Sequence, residues 1–133
     1  MITELAIPAI IWRQMRRHVC RYAPLEACGL LAGKDGQVSL SQGIRNDERS
    51  PVRFQMNPKE QLRAFNRFEE LGLDLLAVYH SHPSGPTRPS PSDVRQAAYA
   101  VVHIIWSLKD EEWNANGYCI ESDKVSVVRL RVV

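Results

Sequence analysis

The fold of this chain is decided by the stretch HSHPSGPTRPSPSD, residues 80–93. It follows the apolar run LDLLAV, residues 73–78, which is short, ends at turn residues and therefore predicts a buried strand. The prolines after it exclude regular structure, because each one lacks an N–H and restricts the residue before it. Side chains two apart on a strand point to the same face, so His80 and His82 project together while Ser81 points away.

Two imidazoles at one strand end supply half of a tetrahedral zinc site. Asp93 falls in the first turn of the next predicted helix if Ser90 or Ser92 caps that helix, and it then returns to the strand end. Three side-chain ligands leave the fourth position to water, as in catalytic zinc sites. From the residues alone, an ordinary proline-rich surface loop remains the alternative.

A zinc hydrolase also needs a general base. Zinc lowers the pKa of bound water to roughly 7, and a carboxylate outside the ligand set then takes the proton. Glu26, in the segment PLEACGLLAG, is the best candidate because it directly precedes an apolar, glycine-containing strand, where a carboxylate is otherwise poorly placed.

The rest of the sequence predicts alternating strands and helices. Residues 46–57 should be irregular or partly extended, and Asn57 should cap a helix that begins at Pro58 and stops at Gly72. The other expected elements are a strand at 3–7, a helix from Pro8 that ends before Pro24, a hairpin of 27–33 and 37–46, a helix over 90–100, a strand at 101–108, and a hairpin of 116–122 and 124–133. This order predicts a compact α/β (α+β) sandwich.

Composition indicates a single domain over residues 1–133, with 44% hydrophobic and 24% charged residues and a net charge of +2. The basic cluster RQMRRHVCR, residues 13–21, reads as the solvated face of a helix rather than a nucleic-acid surface. No apolar run approaches the roughly 20 residues of a membrane span, and the N-terminus does not have the pattern of a signal peptide. Three cysteines cannot all pair, so a reducing cytoplasm is expected.

Several further residues have competing interpretations. His103 alternates with apolar residues and is expected to be a core or rim histidine, whereas His18 is expected to be solvated on the basic helix. Cys28 lies two residues from Glu26, and a small buried side chain is favoured over an activated thiolate. The three tryptophans fit either the core or an exposed patch for a partner's tail: Trp12, Trp106 and Trp113.

The motif from His80 to Asp93 resembles the H-x-H-P-x6-S-x-x-D signature of the JAMM (MPN-type) zinc metalloproteases. PLEACGLLAG is similar to the family's segment with the catalytic glutamate, and RNDERSPVRFQMNP, residues 45–58, is similar to a stretch of small prokaryotic members. The resemblance covers about residues 4 to 125.

This resemblance implies a mixed sheet sandwiched by helices, with Zn²⁺ held by His80, His82 and Asp93. Glu26 would activate the attacking water and later protonate the leaving amine. Ser90 would donate a hydrogen bond to the developing oxyanion. That role competes with helix capping for the same hydroxyl, and the sequence leaves the choice open.

The family's activity is hydrolysis of peptide or isopeptide bonds, which implies the C-terminal tail of a ubiquitin-like or sulfur-carrier protein as substrate. The short segment LKDEEWNANGY, residues 108–118, favours a small sulfur carrier over ubiquitin chains. The alternatives are a non-catalytic MPN scaffold that serves as a docking module and a small-molecule zinc amidohydrolase. Neither a nucleic-acid nor a membrane partner is expected, and the oligomeric state is not indicated.

Overall fold

Seven strands and three helices make up residues 2–97 and 100–133, the part of the chain that this computed structural model describes. In chain order they are β1 Glu4–Ile7, α1 Ala9–Tyr22, β2 Cys28–Lys34, β3 Gln37–Ile44, α2 Pro58–Glu70, β4 Asp74–His82, α3 Pro91–Arg95, β5 Val102–Lys109, β6 Glu112–Glu121 and β7 Lys124–Val132. None of these three helices has the length and apolar character needed to cross a membrane.

The strands form one mixed sheet that closes on itself in the order β1-β3-β2-β4-β5-β6-β7. β4 pairs with β5 in parallel, and β1 runs parallel to both of its neighbours, with Leu5 opposite Leu130 on β7 and Ala6 opposite Gln37 on β3. The remaining pairs are antiparallel. The mixed sheet was expected, whereas its closure into a barrel was not.

Three hairpins turn through two residues, both with positive φ: Asp35-Gly36, Asp110-Glu111 and Ser122-Asp123. Turns of this hand match the twist of the strands they join, so each hairpin holds its register tightly. The middle turn corrects one prediction: β6 starts at Glu112 and not at residue 116, because its polar first residues pair with β5 from Lys109 onward.

α1 belongs to the inner core, a cluster to which all seven strands contribute. The helix buries Ile11, Met15 and Val19, which follow the predicted helical spacing. Trp106 is fully buried there, and Trp12 packs against it with ring centroids 4.8 Å apart. Trp113 is buried in the same cluster, so all three tryptophans serve the core.

α2 covers the opposite face of β2 and β4. Its predicted cap is present, since the Asn57 side chain accepts a hydrogen bond from the Glu60 N–H at 3.0 Å. Phe68 packs there in a second cluster with Leu30 and Val78, while their neighbours in sequence, among them Leu31, face the inner core. The sheet is therefore packed by helices on both faces, as predicted.

The helix predicted over residues 90–100 is much shorter, since α3 ends at Arg95. Ala98 and Tyr99, which this prediction included, lie outside the described residues. α3 ends early because β5 begins opposite Ala77, five residues before His82 on β4, so the chain must travel back about 17 Å along that strand.

Candidate metal centre

His80 and His82 occupy the last positions of β4 and are almost fully buried, with 2% and 5% of their surfaces exposed. Their Nε2 atoms lie 3.1 Å apart, as the strand alternation predicted. Ser81 points the other way, and its Oγ accepts a hydrogen bond from the Ala27 N–H at 2.8 Å. This bond ties the end of β4 to the residue that follows Glu26.

Asp93 closes the group from α3. Its Oδ2 lies 3.2 Å from His80 Nε2 and 3.1 Å from His82 Nε2. A capping box fixes it there, because the Ser90 N–H donates to Asp93 Oδ2 at 2.8 Å while Ser90 Oγ accepts from the Asp93 N–H at 3.0 Å. The predicted return of the aspartate to the strand end is therefore present.

These three atoms fit a tetrahedral cation site. Two ligands that each lie about 2.0–2.1 Å from a zinc ion are about 3.3 Å apart, close to the three observed spacings. His82 Nδ1–H donates to the Pro86 carbonyl at 2.9 Å, which leaves the Nε2 lone pair directed at the other two atoms. Three lone pairs converge on one point, and a cation satisfies all of them.

The electrostatics support the same assignment. Burial lowers the pKa of His80, which favours the neutral imidazole that binds metals. Burial, the largest influence on Asp93, raises its pKa, yet the contacts with both histidines outweigh it and hold the pKa well below its ordinary value. For His82, burial lowers the pKa but the contact with Asp93 prevails and raises it. Asp93 is thus an anion against two imidazoles.

Glu26 lies beside this triangle, just before β2, with only 4% of its surface exposed. Its Oε1 is buried and has no hydrogen-bond partner among the described residues. Burial raises its pKa to about 8, a shift that Asp93 increases and His82 opposes. A carboxyl group kept in this environment is held ready to exchange protons near neutral pH.

Two donor sets are therefore present. Glu26, His80 and His82 place one ligand atom each within 4.8 Å of one another, whereas the set with Asp93 is spaced at 3.1–3.2 Å. The tighter set matches a zinc ion's ligands. Glu26 lies beside this tighter set.

The irregular segment between β3 and α2 holds Glu26 in place. The Glu26 N–H donates to the Ser50 carbonyl at 2.8 Å, and Asn46 Nδ2 donates to the Glu26 carbonyl at 3.1 Å. Asn46 Oδ1 also accepts from the N–H groups of Glu48 and Gln55, so one side chain organises the whole loop. In the sequence, the only indication of Asn46 was the resemblance of residues 45–58 to small prokaryotic members of the family.

Phe54 from the same segment stacks on His80, with ring centroids 4.4 Å apart and planes inclined by 28°. The stack restricts the orientation of the imidazole ring of His80. Phe54 was likewise indicated only by the resemblance of residues 45–58 to other proteins.

Ser90 resolves part of the conflict left by the sequence. It caps α3 through a lone pair of Oγ, and its hydroxyl hydrogen is donated to no acceptor among the described residues. A hydroxyl carries both a donor and acceptors, so capping does not consume the O–H. The two roles are compatible.

The other weighed residues lie outside the triangle. The prediction for His18 was wrong: its Nδ1 lies 2.6 Å from the Tyr79 hydroxyl, because position 18 is at the border of the buried face of α1, and burial lowers its pKa. His103 is buried and faces a cavity with His80, in agreement with a core or rim position. Cys28 is fully buried and its Sγ–H donates to the Ile44 carbonyl at 3.3 Å, in agreement with a small buried side chain, and burial raises the pKa of its thiol.

Residues 8–116 match the family of prokaryotic homologues of the JAB domain. The chain belongs to this family. The JAB match covers both ends of the metal centre, from Glu26 to Asp93, and agrees with the resemblance to JAMM/MPN proteins seen in the sequence.

Three relatives have been named for their activities. A probable TtuB-protein conjugate cleaving protease of Thermus thermophilus is 38% identical over 103 residues, which cover 77% of this chain and 69% of the relative. The desampylase of Pyrococcus furiosus is 34% identical over 131 residues, 98% of this chain and 91% of the relative. The CysO-cysteine peptidase of Mycobacterium tuberculosis is 34% identical over 103 residues, 76% and 70% of the two chains.

Solved structures share the JAB fold. A protein from Desulfitobacterium hafniense superposes with a TM-score of 0.88 at 31% identity, covering 97% of this chain and 92% of its own. A JAB1/MPN domain protein from Archaeoglobus fulgidus gives a TM-score of 0.67 at 21% identity, with 98% and 99% covered. The second match supports the fold alone.

Proposed function

We propose that this chain is a zinc-dependent peptidase of the JAMM type that hydrolyses a peptide or isopeptide bond at the C-terminal tail of a ubiquitin-like or sulfur-carrier protein. His80, His82 and Asp93 hold Zn²⁺, Glu26 is the general base, and Ser90 is the oxyanion donor. The observation that carries the proposal is the convergence of two imidazole nitrogens and one carboxylate oxygen at 3.1–3.2 Å beside a buried glutamate.

Bound zinc lowers the pKa of water to roughly 7 and polarises a carbonyl oxygen. Glu26 accepts a proton as the water oxygen forms a bond to the carbonyl carbon, and it delivers that proton to the amine as the C–N bond breaks. Its position beside the two histidines suits both transfers, because a general base must lie within reach of the metal-bound water. The Ser90 O–H donates to the carbonyl oxygen as negative charge develops there.

Glu26 also argues against the docking-module alternative. A buried carboxyl oxygen without a hydrogen-bond partner destabilises the fold by about 1–3 kcal/mol, and a protein that only docks has no use for it. Catalysis explains why such a group lies beside a set of metal ligands.

The substrate class follows from the relatives and from the turn between β5 and β6. The relatives' names describe action on TtuB conjugates and on CysO-cysteine. β5 and β6 are joined by only two residues, Asp110 and Glu111, so the edge of the molecule offers no extended grip for a large partner there. We therefore favour a small sulfur carrier, in a reducing cytoplasm that suits the free thiols of Cys20, Cys28 and Cys119.

The test uses CysO extended by one C-terminal cysteine and measures its mass before and after incubation with the zinc-loaded protein. We expect loss of the added residue, about one zinc per chain, and a Glu26→Gln variant that retains zinc but does not cleave. Glu70→Gln, an exposed carboxylate at the end of α2, is the matched control and should cleave at the parent's rate. Cleavage by Glu26→Gln at the parent's rate would show that another group is the base.

A further inference from the structure

We propose that the cavity beside Glu26 binds the leaving group and that Arg49 in this cavity holds a free carboxylate. The enzyme would then release a single C-terminal amino acid in preference to separating two linked proteins. This inference rests on the proposed function and names the substrate class of the same site.

The cavity has a volume of about 390 Å³ and lies between the end of α1, the end of β3 and the loop that follows β3. Glu26 forms part of its wall, together with His18, Tyr22, Arg45, Arg49 and Glu60. Because the proposed function has Glu26 deliver its proton to the leaving amine, we place the residue that carries this amine in the cavity that Glu26 lines. Its size is at the lower end of small-molecule sites and suits one amino acid.

Arg49 is placed by the same bonds that hold Glu26. Its backbone N–H donates to the Asn46 carbonyl at 3.3 Å, and its neighbour Ser50 accepts the Glu26 N–H at 2.8 Å. Ser50 follows Arg49 directly, so the Cα atom of Arg49 lies about 3.8 Å from that of the residue that accepts the Glu26 N–H. Arg49 itself has a φ of 47°, in the left-handed region. The loop thus places Arg49 on the wall of the cavity that Glu26 also lines.

The charges of the cavity single out Arg49. Arg45 Nε pairs with Asp47 Oδ1 at 3.0 Å, and the Glu60 carboxylate accepts a hydrogen bond from a neutral donor, the Arg45 backbone N–H, at 2.8 Å. Arg49 has no ion pair within the described residues. It is therefore the cation that remains for a ligand, and a guanidinium group matches a carboxylate with two parallel hydrogen bonds.

Leaving groups differ in what they present to this arginine. A free amino acid carries its carboxylate two bonds from the amine, close to Glu26 and within reach of Arg49. A lysine joined by an isopeptide bond presents a four-carbon stem instead, and its carbonyl is already part of a chain. Arg49 therefore discriminates in favour of the single residue.

The experiment compares CysO extended by one cysteine as the free acid with the same protein as the C-terminal amide. We expect the zinc-loaded parent to favour the acid by roughly 10- to 100-fold in kcat/KM, mostly through KM. Arg49→Gln should abolish this preference, because kcat/KM for the acid should fall to the level measured for the amide. Arg53→Gln removes the same charge from the same loop outside the cavity and should retain the preference.

Binding is measured separately with the Glu26→Gln variant, which holds the uncleaved carrier. Its Kd should be roughly 10-fold lower for the acid than for the amide, and the added Arg49→Gln change should equalise the two. Equal cleavage of acid and amide by the parent, or a preference that survives Arg49→Gln, would overturn the inference and leave the proposed function standing. A binding preference for the acid without hydrolysis by the parent would contradict the proposed function alone.

Discussion

Replacement of Glu26 by glutamine should stabilise the metal-free protein while it removes activity. Glutamine has nearly the same shape as glutamate and carries no titratable group. The parent places a carboxyl group in a buried position where burial raises its pKa from 4.5 to about 8. The folded protein therefore retains the Glu26 proton up to a higher pH than the unfolded chain does.

The sign and size of the effect follow from linkage. Below about pH 4.5 the carboxyl is protonated in both the folded and the unfolded state, so its titration does not reduce the free energy of unfolding. Between about pH 4.5 and 8 unfolding releases the proton, so the free energy of unfolding falls as the pH rises. Each pH unit in this window lowers the parent's free energy of unfolding by about 1.4 kcal/mol. The variant has no such loss. Between pH 4 and pH 7 the parent should therefore lose about 3 kcal/mol of stability relative to Glu26→Gln.

Urea unfolding of chelator-treated protein at several pH values measures this difference. The histidines and Asp93 are common to both proteins, so the difference between the two curves reports mainly on Glu26. Glu70→Gln serves as the exposed control and should follow the parent at every pH. If the curves of unfolding free energy against pH were parallel for the parent and Glu26→Gln between pH 5 and 8, they would refute the reasoning that burial raises the pKa of Glu26.

Three further substitutions test the supports of the site. Ser90→Ala should destabilise the protein by about 1 kcal/mol because the helix cap is lost, and it should lower kcat by roughly 10²- to 10³-fold because the oxyanion donor is lost. Ser90→Thr is the control, since threonine keeps both the capping oxygen and the O–H donor. If Ser90→Ala loses stability but keeps its kcat, Ser90 only caps the helix. Asn46→Asp keeps the acceptor oxygen but loses the hydrogen bond to the Glu26 carbonyl, so kcat should fall about 10- to 100-fold with zinc content unchanged. An unchanged kcat would show that the loop does not position the base. Gly29→Ala would place Cβ 2.3 Å from the buried Tyr79 ring, and urea unfolding should show a loss of about 2–3 kcal/mol; an unchanged midpoint would contradict that packing.

Much of the metal centre could be predicted from the sequence because its signals are local. His80 and His82 follow from strand alternation, and the prolines between them and Asp93 indicate a chain that turns back. The capping box that fixes Asp93 lies within four consecutive residues, so its spacing was visible before the structure. Glu26 was selected because it directly precedes an apolar, glycine-containing strand, and the family resemblance then indicated the same residue.

What escaped prediction depends on contacts between distant parts of the chain. The barrel closes through pairing of β1 with β7, which joins Leu5 to Leu130, and no short-range pattern encodes that pairing. His18 is partly buried because Tyr79, on another element, reaches it. Asn46 donates a hydrogen bond to Glu26, just before β2, and Phe54 stacks on His80, at the end of β4. Their neighbours in sequence give no indication of these partners.

The most direct test of the zinc assignment is anomalous diffraction at the zinc edge from crystals of the zinc-loaded protein. We predict a single strong peak, with His80 Nε2, His82 Nε2 and an Asp93 carboxylate oxygen each about 2.0–2.2 Å from it, and with Glu26 outside bonding distance. A peak bonded to Glu26 in place of Asp93, or no peak between the two histidines, would contradict the assignment of these residues as ligands and of Glu26 as the base.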